Sequence, residues 1–181
     1  MSSQPATPAW AAFARNIIEL LARDADPGRA IPPAFEPRPH GGVFVTLRKL
    51  SQLRGCMGIL DPSMSLPEAI RQAAISAASQ DPRFPPVQPN ELPHIRIEVS
   101  IMSAPQPMGS LDDLVIGRHG VLVQHGSQRG LFLPQVAVDH HLEKEAFLSR
   151  CCSEKAGLAP DAWRKPDTDV LLFQTEVFQE D

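Results

Sequence analysis

Tyrosine is absent, and cysteine is reduced to Cys56, Cys151 and Cys152. Three thiols, two of them adjacent, form no disulfide framework, and without a C-x-x-C pair they form no zinc site by spacing. No apolar run approaches the roughly 20 residues that a membrane-spanning helix needs. Residues 1–8 are small and polar and lack the charged start and apolar stretch of a signal peptide, so the expected location is the cytoplasm. Positive charge is not in excess either. The formal net charge is −4, which is not the basic footprint of a protein devoted to nucleic acid. The six histidines show no H-x-x-x-H or H-E-x-x-H spacing, and no Walker or dinucleotide glycine pattern occurs. No metal and no cofactor is therefore expected.

What is present describes a globular chain. The 181 residues suffice for one domain, and the hydrophobic fraction of 43% with a charged fraction of 21% is ordinary for a folded protein. Proline is abundant at 19 residues and clusters over 27–39 and 82–93, where it predicts stiff loops. A first helix is expected from Thr7 as N-cap and Pro8 at the first helical position, with Trp10, Phe13, Ile17, Leu20 and Leu21 on one face, ending at Asp26-Pro27-Gly28. Alternation over 42–50 predicts a strand, with 53–60 as its hairpin partner. Ser65-Leu66-Pro67-Glu68 has the capping-box pattern and opens a helix to about Ser79 with a face of small residues. Residues 95–102 read as a strand. Residues 121–124 and 130–133 read as a hairpin around Gly126-Ser127-Gln128-Arg129. A helix over 143–156 stops at Gly157, and a strand over 169–178 closes the chain. Hairpins mixed with helices indicate an α+β fold with a largely antiparallel sheet.

Among residue groups that could carry chemistry, Arg54-Gly55-Cys56-Met57-Gly58 stands first. A thiol acts as a nucleophile only as thiolate, and a nearby cation favours that form. In a strand, Arg54 and Cys56 share one face. The bland alternative is a buried cysteine, with glycines that permit tight helix packing. Asp81 and Arg83 bracket Pro82 at the start of a proline loop, as part of a site near Cys56 or as an ion pair bracing the loop. Glu98 sits mid-strand on the face opposite Ile97 and Val99, either facing solvent or in a polar cleft with Arg54 or Arg83. Cys151 and Cys152, on a helix among apolar neighbours, read as buried packing.

Several motifs resemble those of one family. Leu53-Arg54-Gly55-Cys56-Met57-Gly58 resembles the LRGCIG signature of the AMMECR family, the A component of the AmmeMemoRadiSam system, with Met57 in place of Ile. The strand at Gly42-Val43-Phe44-Val45-Thr46-Leu47 is similar to that family's leading strand. Asp81-Pro82-Arg83-Phe84-Pro85-Pro86-Val87 resembles its DPRFPPV loop, and Ile97-Glu98-Val99-Ser100 its IEVS strand. Gly130-Leu131-Phe132-Leu133-Pro134-Gln135-Val136 resembles its GLLLPQVA stretch, and Lys155-Ala156-Gly157-Leu158 with Trp163 its ending. The match runs over about 39–180, with 1–38 as an N-terminal helix and proline-rich loop. His140-His141-Leu142 departs from the Trp-Asp that relatives often carry.

The resemblance implies a single domain with an α+β fold in a larger and a smaller subdomain. It also implies association with Memo-type and radical-SAM proteins, and no established reaction. The expected site is a cleft between the subdomains, floored by residues 54–58 and rimmed by Asp81, Arg83, Glu98 and His119, with Gln135 as a further binding residue. One class of function is a module binding a small molecule or a partner through Gly55, Gly58 and their surroundings. The alternative is a small enzyme with Cys56 as nucleophile or redox thiol and Arg54 stabilising the thiolate. Nucleic-acid and membrane binding are not expected.

Overall fold

The computed structural model describes residues 9–180. The fold is α+β with two four-stranded sheets. The described residues fall into two compact units. The first holds the residues up to Ile101 and from Glu176 onward, and the second holds Met102–Thr175.

In the first unit, helix α1 (Ala9–Ala22) and helix α2 (Leu66–Ser79) pack on one face of a sheet ordered β2-β1-β3-β8. Its strands are β1 (Gly42–Lys49), β2 (Gln52–Ile59), β3 (Ile95–Met102) and β8 (Thr175–Gln179). The alternation that marks β1 and β3 as strands also decides the core. Val43, Val45 and Leu47 of β1 and Ile95, Ile97 and Val99 of β3 are buried against Trp10, Phe13 and Ile17 of α1 and Ile70, Ala73 and Ala74 of α2. Small residues on α2 let the helix lie close to the sheet. Gly55 is the sheet's counterpart to them, because a Cβ there would stand 2.2 Å from the carbonyl oxygen of Ala77.

The capping box expected at Ser65 does not form. Ser65 is the N-cap of α2, but its side chain makes no capping bond, and Glu68 pairs with Arg71 instead. Pro67 in the first turn needs no N–H partner, which lessens the demand for a side-chain cap. The cap expected at Thr7 and Pro8 lies outside the described residues.

The second unit carries a sheet ordered β4-β7-β5-β6, with β4 (Gln106–Pro107), β5 (Gly120–His125), β6 (Gln128–Phe132) and β7 (Asp169–Phe173). All three pairings in it are antiparallel. Helix α3 (Pro134–Asp139) was not expected from periodicity, since it is short and follows β6 after one residue. The helix expected over 143–156 is α4 (Lys144–Arg150) running into a π-helical turn, Cys151–Ala156, which ends at Gly157 in the left-handed conformation. Cys151 and Cys152 are buried in this unit's core with Phe147 and Leu148.

The closing strand expected over 169–178 is two strands in different sheets, separated at Gln174. Gln174-Thr175-Glu176 interrupts the apolar residues, but three polar residues fit an exposed stretch of one strand as well as a crossing between two sheets.

Candidate functional site

Strand β2 is an edge of the first sheet, and an edge strand leaves backbone N–H and C=O groups unpaired. At Cys56 the loop after α2 closes that edge. The Asp81 carboxylate accepts the Cys56 N–H at 2.9 Å, and Arg83 Nη2 donates to the Cys56 carbonyl at 3.4 Å. Asp81 also accepts from the Arg83 backbone N–H and from Nε and Nη2 of its guanidinium. Four donors thus converge on a carboxylate whose side chain is 2% exposed, while Arg83 is 54% exposed. The ion pair therefore braces the loop and grips the motif strand at once.

A second carboxylate, missed in the sequence, repeats the pattern. Glu91 lies on a short 3-10 helix, Pro89–His94, and takes Lys49 Nζ and Arg54 Nε on one oxygen. Its other oxygen takes Arg54 Nη2 and the Gln88 N–H. Both lone-pair sets are used. Arg54 is consequently committed to Glu91 rather than to Cys56. It also lies 5.9 Å from the centre of the Phe84 ring, and Arg83 lies 5.5 Å from the same ring.

The position of Arg54 has a local cause. The β1–β2 register shifts between Leu47 and Arg48, so that Leu47 faces Gly55 while Arg48 faces Leu53. Arg54 is the extra residue of a bulge, a device that re-aims a side chain.

Cys56 itself is half-buried, with Sγ 3.3 Å from Thr46 Oγ1 on the facing strand. Phe44 faces Gly58, where a Cβ would stand 2.4 Å from the ring, so this glycine seats an aromatic side chain. Both glycines of the motif thus have packing reasons. Glu98 is half-buried and pairs with neither Arg54 nor Arg83. Its nearest polar partner is the Ser100 hydroxyl at 3.5 Å.

His119 and Gln135 belong to the second unit. His119 Nδ1 accepts the Val115 N–H, and burial followed by the nearby Arg118 charge lowers its pKa. Gln135 is exposed on α3. Burial pushes the Cys151 thiol up to about 12, which keeps it protonated and inert. Among the described residues, no group of His, Cys, Asp or Glu side chains is arranged to hold a metal ion. No described helix is long and apolar enough to cross a membrane.

The two saturated carboxylates make the fold sensitive to acid. The Arg83 side chain holds Asp81 well below the usual carboxylate range, and Arg54 holds Glu91 at about 2. An unfolded chain takes up both protons near pH ~4. The stability these groups contribute is therefore complete above that range and is lost as pH falls through the folded values. Urea unfolding at a series of pH values between neutral and 3 should show a steep loss below pH ~4 in the wild type. Asp81→Asn and Glu91→Gln should each flatten that slope. A wild-type slope unchanged in both variants would remove these two groups from the acid response.

The sequence model of the AMMECR1 family matches residues 11–178. A protein of Thermofilum pendens is 43% identical over 184 residues, covering 92% of this chain and 85% of its own length. A protein of Methanopyrus kandleri is 44% identical over 159 residues, covering 83% of this chain and 76% of its own. The crystal structure of an uncharacterised protein from Pyrococcus horikoshii superposes with a TM-score of 0.83 at 36% identity, over 97% of this chain and 92% of that one. Matched by the family model over 11–178 and by relatives more than 40% identical over most of its length, the chain belongs to the AMMECR1 family.

Proposed function

We propose that the chain is a binding module that engages a small molecule or a partner protein through the β2 strip from Arg54 to Gly58, working with Memo-type and radical-SAM proteins. The observation that carries this reading is the state of the charged groups around Cys56. Asp81 and Glu91 have every lone-pair site occupied, and Arg54 is bidentate to Glu91. A general acid or base must exchange a proton near the working pH, and carboxylates held this far down do not. What they do accomplish is to hold one strip of strand rigid, and a rigid surface binds without a large ordering cost.

The second reading, a small enzyme with Cys56 as nucleophile or redox thiol, is favoured by one observation. Cys56 is half-buried while Cys151 and Cys152 are fully buried, and it has the Thr46 hydroxyl beside it.

The two readings separate in a titration of the purified chain against the Memo-type and radical-SAM proteins of the same organism. Cys56→Ser keeps shape and hydrogen bonding, and Cys56→Phe adds bulk at the strip. A binding module loses about tenfold or more in affinity with Cys56→Phe and stays within about twofold with Cys56→Ser. Undiminished binding by Cys56→Phe would overturn the reading. Binding or turnover abolished by Cys56→Ser would move the function to the thiol.

A further inference from the structure

Around Cys56 the acceptors are spent and donors are left over. Asp81 and Glu91 each take four donors, so neither carboxylate keeps a lone pair for a ligand. Arg54 and Arg83 pair with them in the same manner, through Nε and Nη2. A guanidinium held by that side turns its Nη1 away from the carboxylate. The Arg54 side chain is only 10% exposed, yet its Nη1 finds no acceptor among the described residues. An unpaired buried donor is costly, and native structures answer it with a water, an ion or a ligand. The Phe84 ring, 5.9 Å from Arg54 Cζ and 5.5 Å from Arg83 Cζ, is a weak π acceptor at best.

Charge points the same way. Lys49, Arg54 and Arg83 meet only Asp81 and Glu91 in these pairs, which leaves positive charge in surplus within a chain of formal net charge −4. Arg48 stands on the Cys56 face of the sheet, next but one to Thr46 along β1, and is exposed. Among the described residues no ion pair neutralises it. On β3 the same face carries Arg96 and Glu98, one charge of each sign.

We propose that the strip binds an oxyanion, a carboxylate or phosphate group, gripped by Arg83 Nη1 at the surface and by Arg54 Nη1 once the Phe84 ring moves aside. Arg83 is 54% exposed and makes the first contact. Phe84 is half-buried and belongs to neither core cluster, so its ring can turn without opening a core. Guanidinium N–H groups match carboxylate and phosphate oxygens in both spacing and charge. The proposal rests on the binding role assigned to the strip and names the class of ligand it takes.

The test is a titration of the intact chain with inorganic phosphate and with succinate, read from the backbone amide and arginine Nε–H resonances by heteronuclear NMR. Putrescine is the cationic control. The expected result is saturable shifts at Cys56, Arg54 and Arg83 with an apparent Kd below about 1 mM for at least one anion, and none with putrescine. Arg83→Lys, which keeps a cation for Asp81 but loses the fork, should weaken binding about tenfold. Arg48→Gln breaks no ion pair and should cost about threefold while flattening the salt dependence. Phe84→Ala should tighten binding about threefold, because no ring has to move. Arg129→Ala, at an exposed position of the second unit, should change nothing. Competition identifies the source of the anion. If phosphate or succinate displaces a bound Memo-type or radical-SAM protein, the group belongs to that partner; if the complex persists, the ligand is a free small molecule.

No saturable response to either anion overturns the proposal, as does an equal response to putrescine. Undiminished binding by Arg83→Lys, or binding no tighter in Phe84→Ala, overturns it too. The binding role of the strip is judged separately, by the Cys56→Phe titration with partner proteins, which involves no added anion.

Discussion

Replacing Glu91 by alanine is expected to lower the unfolding free energy by ~3–5 kcal/mol, the cost of leaving a buried charge without its partner. The Arg54 side chain is only 10% exposed, and its Nη1 already has no hydrogen-bond partner. Without Glu91 its Nε and Nη2 also lose their acceptor, and Lys49 and the Gln88 N–H lose theirs. The two Arg54 donors would then depend on water that reaches them poorly, whereas Lys49 and Gln88 lie at the surface. The midpoint and slope of urea unfolding measure the loss. Pairing the change with Arg54→Met separates the charge from the rest. If the buried guanidinium is the source of the penalty, the double variant should recover a substantial part of it. A Glu91→Ala protein within ~0.5 kcal/mol of wild type would mean that solvent already satisfies Arg54.

Gly55→Val should be at least as damaging, by ~3 kcal/mol or more, through overpacking rather than charge. The obstacle is the Ala77 carbonyl oxygen, 2.2 Å from where a Cβ would sit, with the Ala77 carbonyl carbon 3.3 Å away. Backbone cannot rotate aside as a side chain can, so α2 must lift from the sheet and open the core around Ala73, Ala74 and Ala77. Gly58→Ala provides the comparison inside the same motif. Its obstacle is the Phe44 ring, which can swing away, and the expected loss is about 1 kcal/mol. Thermal and urea unfolding of the two variants should rank them in this order. The reverse ranking would show that the approach of α2 is not what requires glycine at 55.

The elements that packing periodicity specifies were legible before any coordinates. Leu66–Ser79 begins and ends where the sequence places it, and β1 and β3 fall within a residue of expectation. Their apolar positions recur at one period over eight or more residues, and the core enforces that period. The closing run from Asp169 to Phe178 was not legible as two strands, because the polar triplet Gln174-Thr175-Glu176 suits a solvent-facing stretch of one strand as well as a break.

The site was half legible. Residues that touch through short loops were found, as with Asp81 and Arg83. Thr46 escaped notice for a specific reason. Counting back from the turn at Leu50-Ser51, the pairs Lys49 with Gln52 and Arg48 with Leu53 predict that Thr46 faces Gly55. The bulge at Arg54 advances the register by one residue and puts Thr46 opposite Cys56. Glu91 escaped because nothing local distinguishes it from a solvated glutamate on a proline loop.

From the amino-acid order alone come the α+β class, most of the elements and the motif strand, because each depends on contacts among near neighbours or on a repeating apolar period. Which charges meet was settled only by tertiary structure. On sequence grounds Arg54 was placed with Cys56 or with Glu98, and the packed chain gives it to Glu91 through a bulge and a 3-10 turn brought together across 37 residues. A carboxylate or guanidinium carries no directional pattern along the chain. Its partner is whichever opposite charge the packed core leaves within reach, and desolvation there penalises any other arrangement.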